Sequence, residues 1–174
     1  HVETKLLNSA DFGVPQKRER VFFVGFRDKK DAESFRFPNP TIKEKEERIP
    51  LKPCLEKQEE ITEDLFFSDR AVAGLQKTKN LHSMNKGRAQ NINGPSNTLG
   101  AHLAKVSLNS TDPVLMEGNR YRMFSPREVA RIQSFPENFS LADSKTWNYV
   151  ALGNAVPPVL MWHVSKELLS ALEN

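Results

Sequence analysis

Leu7-Asn-Ser-Ala-Asp-Phe-Gly-Val-Pro-Gln-Lys-Arg-Glu-Arg-Val-Phe-Phe-Val-Gly-Phe26 joins a turn, a run of charges and a hydrophobic segment in one short stretch. Asn8 to Gly13 is rich in turn formers, and Pro15 stops any helix there. Val21-Phe-Phe-Val-Gly-Phe26 is β-branched and aromatic, which predicts a strand buried on both faces. An apolar stretch from Val2 ends at Leu6-Leu7, so two strands are expected around a loop. Between loop and strand lies Gln16-Lys17-Arg18-Glu19-Arg20. An extended backbone alternates its side chains, so Gln16, Arg18 and Arg20 are expected on one face. Two guanidiniums held beside a rigid strand can grip a phosphate or a base carbonyl in bidentate fashion. On these residues alone, a solvated edge capping the strand is the stronger reading.

Outward from this stretch the pattern changes several times. Asp28 to Asp31 reads as a charged turn. Phe35 to Pro40, with Pro38 and Pro40, reads as a linker and a first domain boundary. Residues 41–64 carry eight acids and five cations, the pattern of a solvated face. From Arg70 to Thr111 there is no Asp or Glu, while Arg70, Lys77, Lys79, Lys86, Arg88 and Lys105 are cationic. A contiguous one-sign segment in a nearly neutral chain points to an anionic partner. Short strands are expected there at Asn97–Leu99 and Ala104–Leu108.

Regular structure returns after Tyr121. Ser125-Pro126-Arg127-Glu128 combines a capping box with Pro at the first helical position, predicting a helix to about Ser134. That explains Ser125 and Glu128 without chemistry. A second helix is expected from Pro157-Pro158, with Leu160, Val164, Leu168 and Leu172 as a core-facing stripe and Met161 and Leu169 beside it. Gly153-Asn154-Ala155-Val156-Pro157-Pro158 precedes it. A glycine and a Pro-started helix let backbone approach a ligand and favour an anion such as a carboxylate. An ordinary Gly-Asn turn before a helix has the same residues.

Composition bounds the rest. The chain has 174 residues, 25 Lys and Arg against 22 Asp and Glu, and a formal net charge of +3. Charged residues at 27% and hydrophobic residues at 38% give a globular balance. The apolar runs fall far short of the roughly 18 residues a membrane helix needs. No basic segment followed by an apolar one opens the chain, so no secretory signal is read. The lone Cys54 excludes an internal disulfide or a Cys-rich zinc site, and fits a reducing compartment. Four histidines share no metal-ligand spacing. Nothing near Cys54 supplies an activating base. The opening His1-Val2-Glu3 lacks Met, as expected for a fragment or a processed piece.

Three blocks taken in order carry a family resemblance that covers essentially the whole chain. Leu7 to Phe26, with its Gln-x-Arg-x-Arg core, resembles the eighth conserved block of the DNA (cytosine-5)-methyltransferases. Arg122-Met-Phe-Ser-Pro-Arg-Glu-Val-Ala-Arg-Ile-Gln-Ser-Phe-Pro136 resembles the ninth, and Gly153-Asn-Ala-Val-Pro157 the tenth. The resemblance implies an α/β fold: the C-terminal portion of a Rossmann-like methyltransferase domain, with a small, mixed, strand-containing target-recognition domain. Residues 1–36 would end the catalytic domain, 37–119 would be the recognition domain, and 120–174 would hold the scaffold helix and the return to the catalytic domain. The family's cofactor loop, Pro-Cys nucleophile loop and Glu-Asn-Val block precede the eighth block and are not in this sequence. Pro53-Cys54 follows the eighth block and is succeeded by Leu-Glu, so it is a decoy. A catalytic N-terminal half, upstream or on a separate subunit, is therefore an expected partner, and this segment alone is expected to be inactive.

The implied reaction moves a methyl group from S-adenosylmethionine to C5 of a cytosine flipped out of duplex DNA. The resemblance implies that Arg20 contacts that cytosine at O2 and the neighbouring phosphate. Arg18 would support the catalytic loop, and Gln16 would order the turn. Asn154, Ala155 and Val156 would close the S-adenosylmethionine pocket. Thr98, in a Thr-Leu pair, would bond a phosphate. Asn85, Lys86, Arg88 and Gln90, with Gly87, Asn91 and Asn93, would lie on loops near the DNA groove, since Arg and Lys pair with guanine and Asn and Gln with adenine. The type implied is that of bacterial restriction–modification, acting on DNA in the cytoplasm. A non-catalytic DNA-binding module, a tRNA cytosine methyltransferase and an interaction protein docking by its last helix are the alternatives.

Overall fold

The computed structural model describes residues 1–76, 88–107, 110 and 112–173. Two strands, β1 (Val2–Asn8) and β3 (Glu19–Gly25), form an antiparallel hairpin in the register Leu7↔Arg20, Lys5↔Phe22 and Glu3↔Val24. Their connection is set locally. The Asn8 side chain accepts from Ala10 N at 3.1 Å, a 3-10 turn covers Ser9–Phe12, and Gly13 ends it at φ 80°, where a side chain would be strained. Within the connection, β2 (Gln16–Lys17) leaves the hairpin and pairs in parallel with β4 (Ser96–Asn97), as Gln16↔Ser96 and Lys17↔Asn97. A third two-stranded ladder joins β5 (Leu115–Glu117) to β6 (Arg120–Arg122).

The helices are α1 (Lys29–Ser34), α2 (Asp69–Gln76), α3 (Pro126–Ile132), α4 (Lys145–Asn154) and α5 (Pro158–Leu172). The capping box at α3 forms as read. Ser125 Oγ accepts from Glu128 N at 3.1 Å, and the Glu128 carboxylate accepts from Ser125 N at 2.9 Å. Glu128 is fully buried and takes a bidentate pair from Arg122 at 2.8 and 2.9 Å; Glu117 binds the same guanidinium at 2.6 Å. Burial works against the Arg122 charge, but the two carboxylates outweigh it and hold the group above the ordinary arginine value.

Two bodies of core result. One gathers Leu51, Leu99, Leu103 and Val114 from the middle of the chain with Val129, Ile132, Tyr149 and Leu152 of α3 and α4. The other packs Leu7, Phe12 and Phe22 of the hairpin region against Leu160 and Val164 of α5, and continues through Phe26, Ala32 and Phe35 to Ala171. The middle segment therefore shares its core with α3.

Several expectations are corrected. The strand at Val21–Phe26 is buried on one face only. Phe22 and Val24 face α5, whereas Val21 is 51% and Phe23 72% exposed. Phe35, read as linker, is buried, and Phe37 stacks edge-on to it. The strand expected from Ala104 is a 3-10 turn over Ala101–Lys105; Leu108 lies outside the described residues. The strand expected at Asn97–Leu99 shrinks to Ser96–Asn97. On α5, Met161, Leu169 and Leu172 are exposed, and Ala171 takes the buried place below Val164. A helix laid on a two-stranded hairpin has only one covered side, so the flanking apolar positions stay open.

Candidate active-site edge and nucleic-acid interface

The residues of the Gln-x-Arg-x-Arg core part ways. Gln16 and Arg18 are buried, and Arg20 is exposed. The expected single face is lost because the chain changes partners at Arg18: β2 pairs with β4, while β3 pairs with β1. Lys17, between the buried pair, points outward and is exposed.

Arg18 is the junction of three distant segments. Its Nη1 donates to Leu99 O at 2.9 Å and its Nη2 to Gly153 O at 2.8 Å. Gln16 Oε1 accepts from Leu99 N at 3.0 Å, and Thr98 Oγ1 donates to Lys17 O at 2.8 Å. Desolvation pulls the Arg18 guanidinium down to about 10, with the nearby Arg20 charge adding to the effect. Arg18 Nε and Gln16 Nε2 have no partner in this buried seam.

Gly153 explains why the seam closes so tightly. It lies in the last turn of α4, not in a turn between helices. A Cβ there would stand 2.3 Å from Gly100 C and 2.4 Å from Ala101 N. Its missing side chain thus serves the approach of α4 to the Gly100–Ala101 backbone, not the approach to a ligand. Asn154 then emerges exposed, Ala155 is half-buried with its N–H capping α4, and Val156 is exposed before the buried Pro157. These three residues present one open wall, the Asn154 amide with no intramolecular hydrogen bond among the described residues.

The residues expected near a DNA groove divide likewise. Arg88 is buried, donating to Asp112 O at 2.7 Å, to Ser110 Oγ at 3.0 Å and to Ser107 O. Gln90 donates to Arg88 O at 2.8 Å and accepts from Asn97 N at 2.7 Å. Arg88 differs from the groove-facing residue expected, because its guanidinium is held by its own segment; Gln90 also bonds within the segment, yet it lines a surface groove with Lys17 and Lys45. Asn85, Lys86 and Gly87 lie outside the described residues. Thr98 remains exposed, with its hydroxyl proton on Lys17. Cys54 is buried, and desolvation pushes its thiol up to about 11, which makes it a poor nucleophile. Among the described residues no cluster of three or more His, Cys, Asp or Glu is placed to hold a metal, and no helix is long and apolar enough to cross a membrane. The sequence did not show that Lys17 shares a surface groove with Lys45 and Arg48; the alternation of 16 to 18 was the available signal for the exposure of Lys17.

Comparison with known proteins places the chain in a family. The model of C-5 cytosine-specific DNA methylases matches residues 1–170, and the chain belongs to that family. It is 31% identical over 176 residues to the Type II methyltransferase M.DsaV of Dactylococcopsis salina, covering 99% of this chain and 48% of that protein. It is 32% identical over 199 residues to M.FnuDI of Fusobacterium nucleatum, covering 99% and 56%. The chain thus spans about half the length of these relatives. Among solved structures, the S. pombe Dnmt2 methyltransferase superposes with a TM-score of 0.70 at 16% identity, over 100% of this chain and 58% of that one. The Entamoeba histolytica methyltransferase EhMeth gives 0.67 at 14%, over 100% and 55%. These two likenesses concern the fold.

Proposed function

We propose that this chain is the C-terminal, DNA-recognising half of a DNA (cytosine-5)-methyltransferase of the restriction–modification type. It completes the active site with a catalytic half that carries the nucleophilic cysteine. The observation that carries the reading is the Arg18 junction. One buried guanidinium fixes the eighth-block strand, the Thr98–Leu99 pair and the end of α4 in one place. Arg20, Thr98 and Asn154 are all exposed around that junction.

In this reading the chain supplies placement. Arg20 donates to O2 of the flipped cytosine and to the adjoining phosphate, where a charged donor stabilises the ring as electron density builds on it. Thr98 accepts or donates at the next phosphate without desolvating a charge. Asn154, Ala155 and Val156 wall the S-adenosylmethionine site, and the Asn154 amide is the group free to hold it. S-adenosylmethionine, when bound, supplies the electrophilic methyl group. The thiolate that adds to cytosine C6 and the acid that holds N3 belong to the other half, because Cys54 is buried and its thiol is held protonated.

The test is reconstitution. The chain is mixed with an N-terminal half carrying the nucleophile and with methyl-labelled cofactor, on duplex DNA and on tRNA. Label in duplex cytosine C5 supports the reading. Label in tRNA alone moves the substrate, and label in neither removes the methyltransferase reading.

A further inference from the structure

Residues 43–48 mix both signs, as Lys43, Glu44, Lys45, Glu46, Glu47 and Arg48, and sum to zero charge. The fold separates them. Lys45 and Arg48 line a surface groove with Lys17, Asn91, Gly94 and Pro95, and no carboxylate lines it. An adjoining groove is formed by Lys43, Lys45 and Arg48 with Asn39, Ile42 and the carboxylate of Asp11. Glu44, Glu46 and Glu47 line neither. Asp11 holds Arg48 through Nε at 3.1 Å and Nη2 at 2.6 Å, which neutralises that pair and fixes the groove wall. Lys17, Lys43 and Lys45 are exposed, with no carboxylate within ion-pair distance among the described residues.

Position gives this cationic groove its meaning. Lys17 sits on β2 with its side chain opposed to the buried Gln16 and Arg18, and its carbonyl accepts from the Thr98 hydroxyl. The groove therefore begins one residue from the Arg18 junction. We infer that Lys17 and Lys45, with Lys43 behind them, form a phosphate clamp that holds the backbone of duplex DNA beside the site where the nucleotide is flipped. The inference rests on the proposed DNA substrate. It assigns DNA contact to a segment whose sequence reads as an ordinary solvated face. Ammonium groups suit this task as mobile point charges on a polyanion. Such contacts fix register and carry no base information.

The experiment measures binding of this 174-residue chain to a duplex as a function of salt. Each phosphate contact contributes roughly 0.9 to the slope of log K against log salt, so Lys17→Ala and Lys45→Ala should each weaken binding roughly eightfold at 0.1 M salt and lower the slope by about 0.9. Cognate and unrelated duplexes should lose affinity equally. Lys29→Ala, on α1 away from the groove, should change neither quantity. Circular dichroism should be unaltered, because both lysines are exposed. Unchanged slopes in the two groove variants, no salt-dependent duplex binding by the parent chain, or losses confined to a folded RNA would each overturn the clamp. Methyl transfer in the reconstituted enzyme is read separately. A failed clamp with intact DNA methylation leaves the methyltransferase reading standing, and the reverse result leaves only a DNA-binding groove.

Discussion

Arg18 holds two carbonyls contributed by residues 81 and 135 positions away. Arg18→Ala would leave both buried and unpaired, and should cost about 3 kcal/mol in urea unfolding. A loss below about 0.5 kcal/mol would mean that the junction is not the tie described here. Gly153 makes a matched test. Gly153→Ala puts a methyl against the Gly100 backbone, whereas Gly94→Ala enters open space. The first should destabilise by at least about 2 kcal/mol and the second by less than about 0.5 kcal/mol. Cys54 gives a pH signature. Its thiol is raised in the folded chain to about 11, so it favours folding while neutral. That contribution is complete below the pKa of an unfolded thiol, about 8.5, and is lost as pH rises towards 11. The stability difference between the parent and Cys54→Ala should therefore narrow between pH 8.5 and 11, and a flat difference would contradict it. Sequence showed the importance of Arg18 through its spacing from Gln16 and Arg20. It did not show what Arg18 holds, because its partners are backbone carbonyls that any residue could supply. The partners of Arg88 and Gln90 stayed hidden for the same reason.

At the level of elements, the hairpin and α5 were legible, and their exposure was not. Hydrophobic content located β3, but a run apolar at every position cannot reveal which face has a neighbour. In the folded chain Leu6 and Val21 stand side by side on the outer face with Val2 and Phe23, all exposed. An apolar patch on a hairpin that also has a free strand edge promotes association. The chain by itself should self-associate in sedimentation at micromolar concentration, and Val21→Ser with Phe23→Ser should shift it towards monomer with little loss of stability. A parent chain that stays monomeric would show that this face needs no cover. The capping box of α3 was fully legible, because Ser125 and Glu128 satisfy each other three residues apart. The Arg122 pair adds a tertiary tie that spacing alone does not expose. The short ladders at 96–97 and 115–122 were obscured because pairing with distant strands, not local propensity, decides them.

For the whole molecule, Gln16 and Arg18, the Thr98–Leu99 pair and Gly153 lie far apart in sequence and meet around one buried arginine. The ninth-block helix does not merely support the middle of the chain; Val129 and Ile132 share a core with Leu51 and Leu99. The middle of the chain and α3 therefore fold together, and strain in one should be felt at the Arg18 junction through Leu99. Order of motifs carried the family, whereas the grouping of cores depended on contacts between residues tens of positions apart. The most direct measurement is label transfer to duplex cytosine by the chain reconstituted with a nucleophile-bearing half, comparing the parent with Arg20→Ala. Methylation at C5 is expected from the parent, with a loss of roughly 100-fold or more on removing the exposed guanidinium. Methyl transfer that is absent from the parent, or fully retained without Arg20, would contradict it.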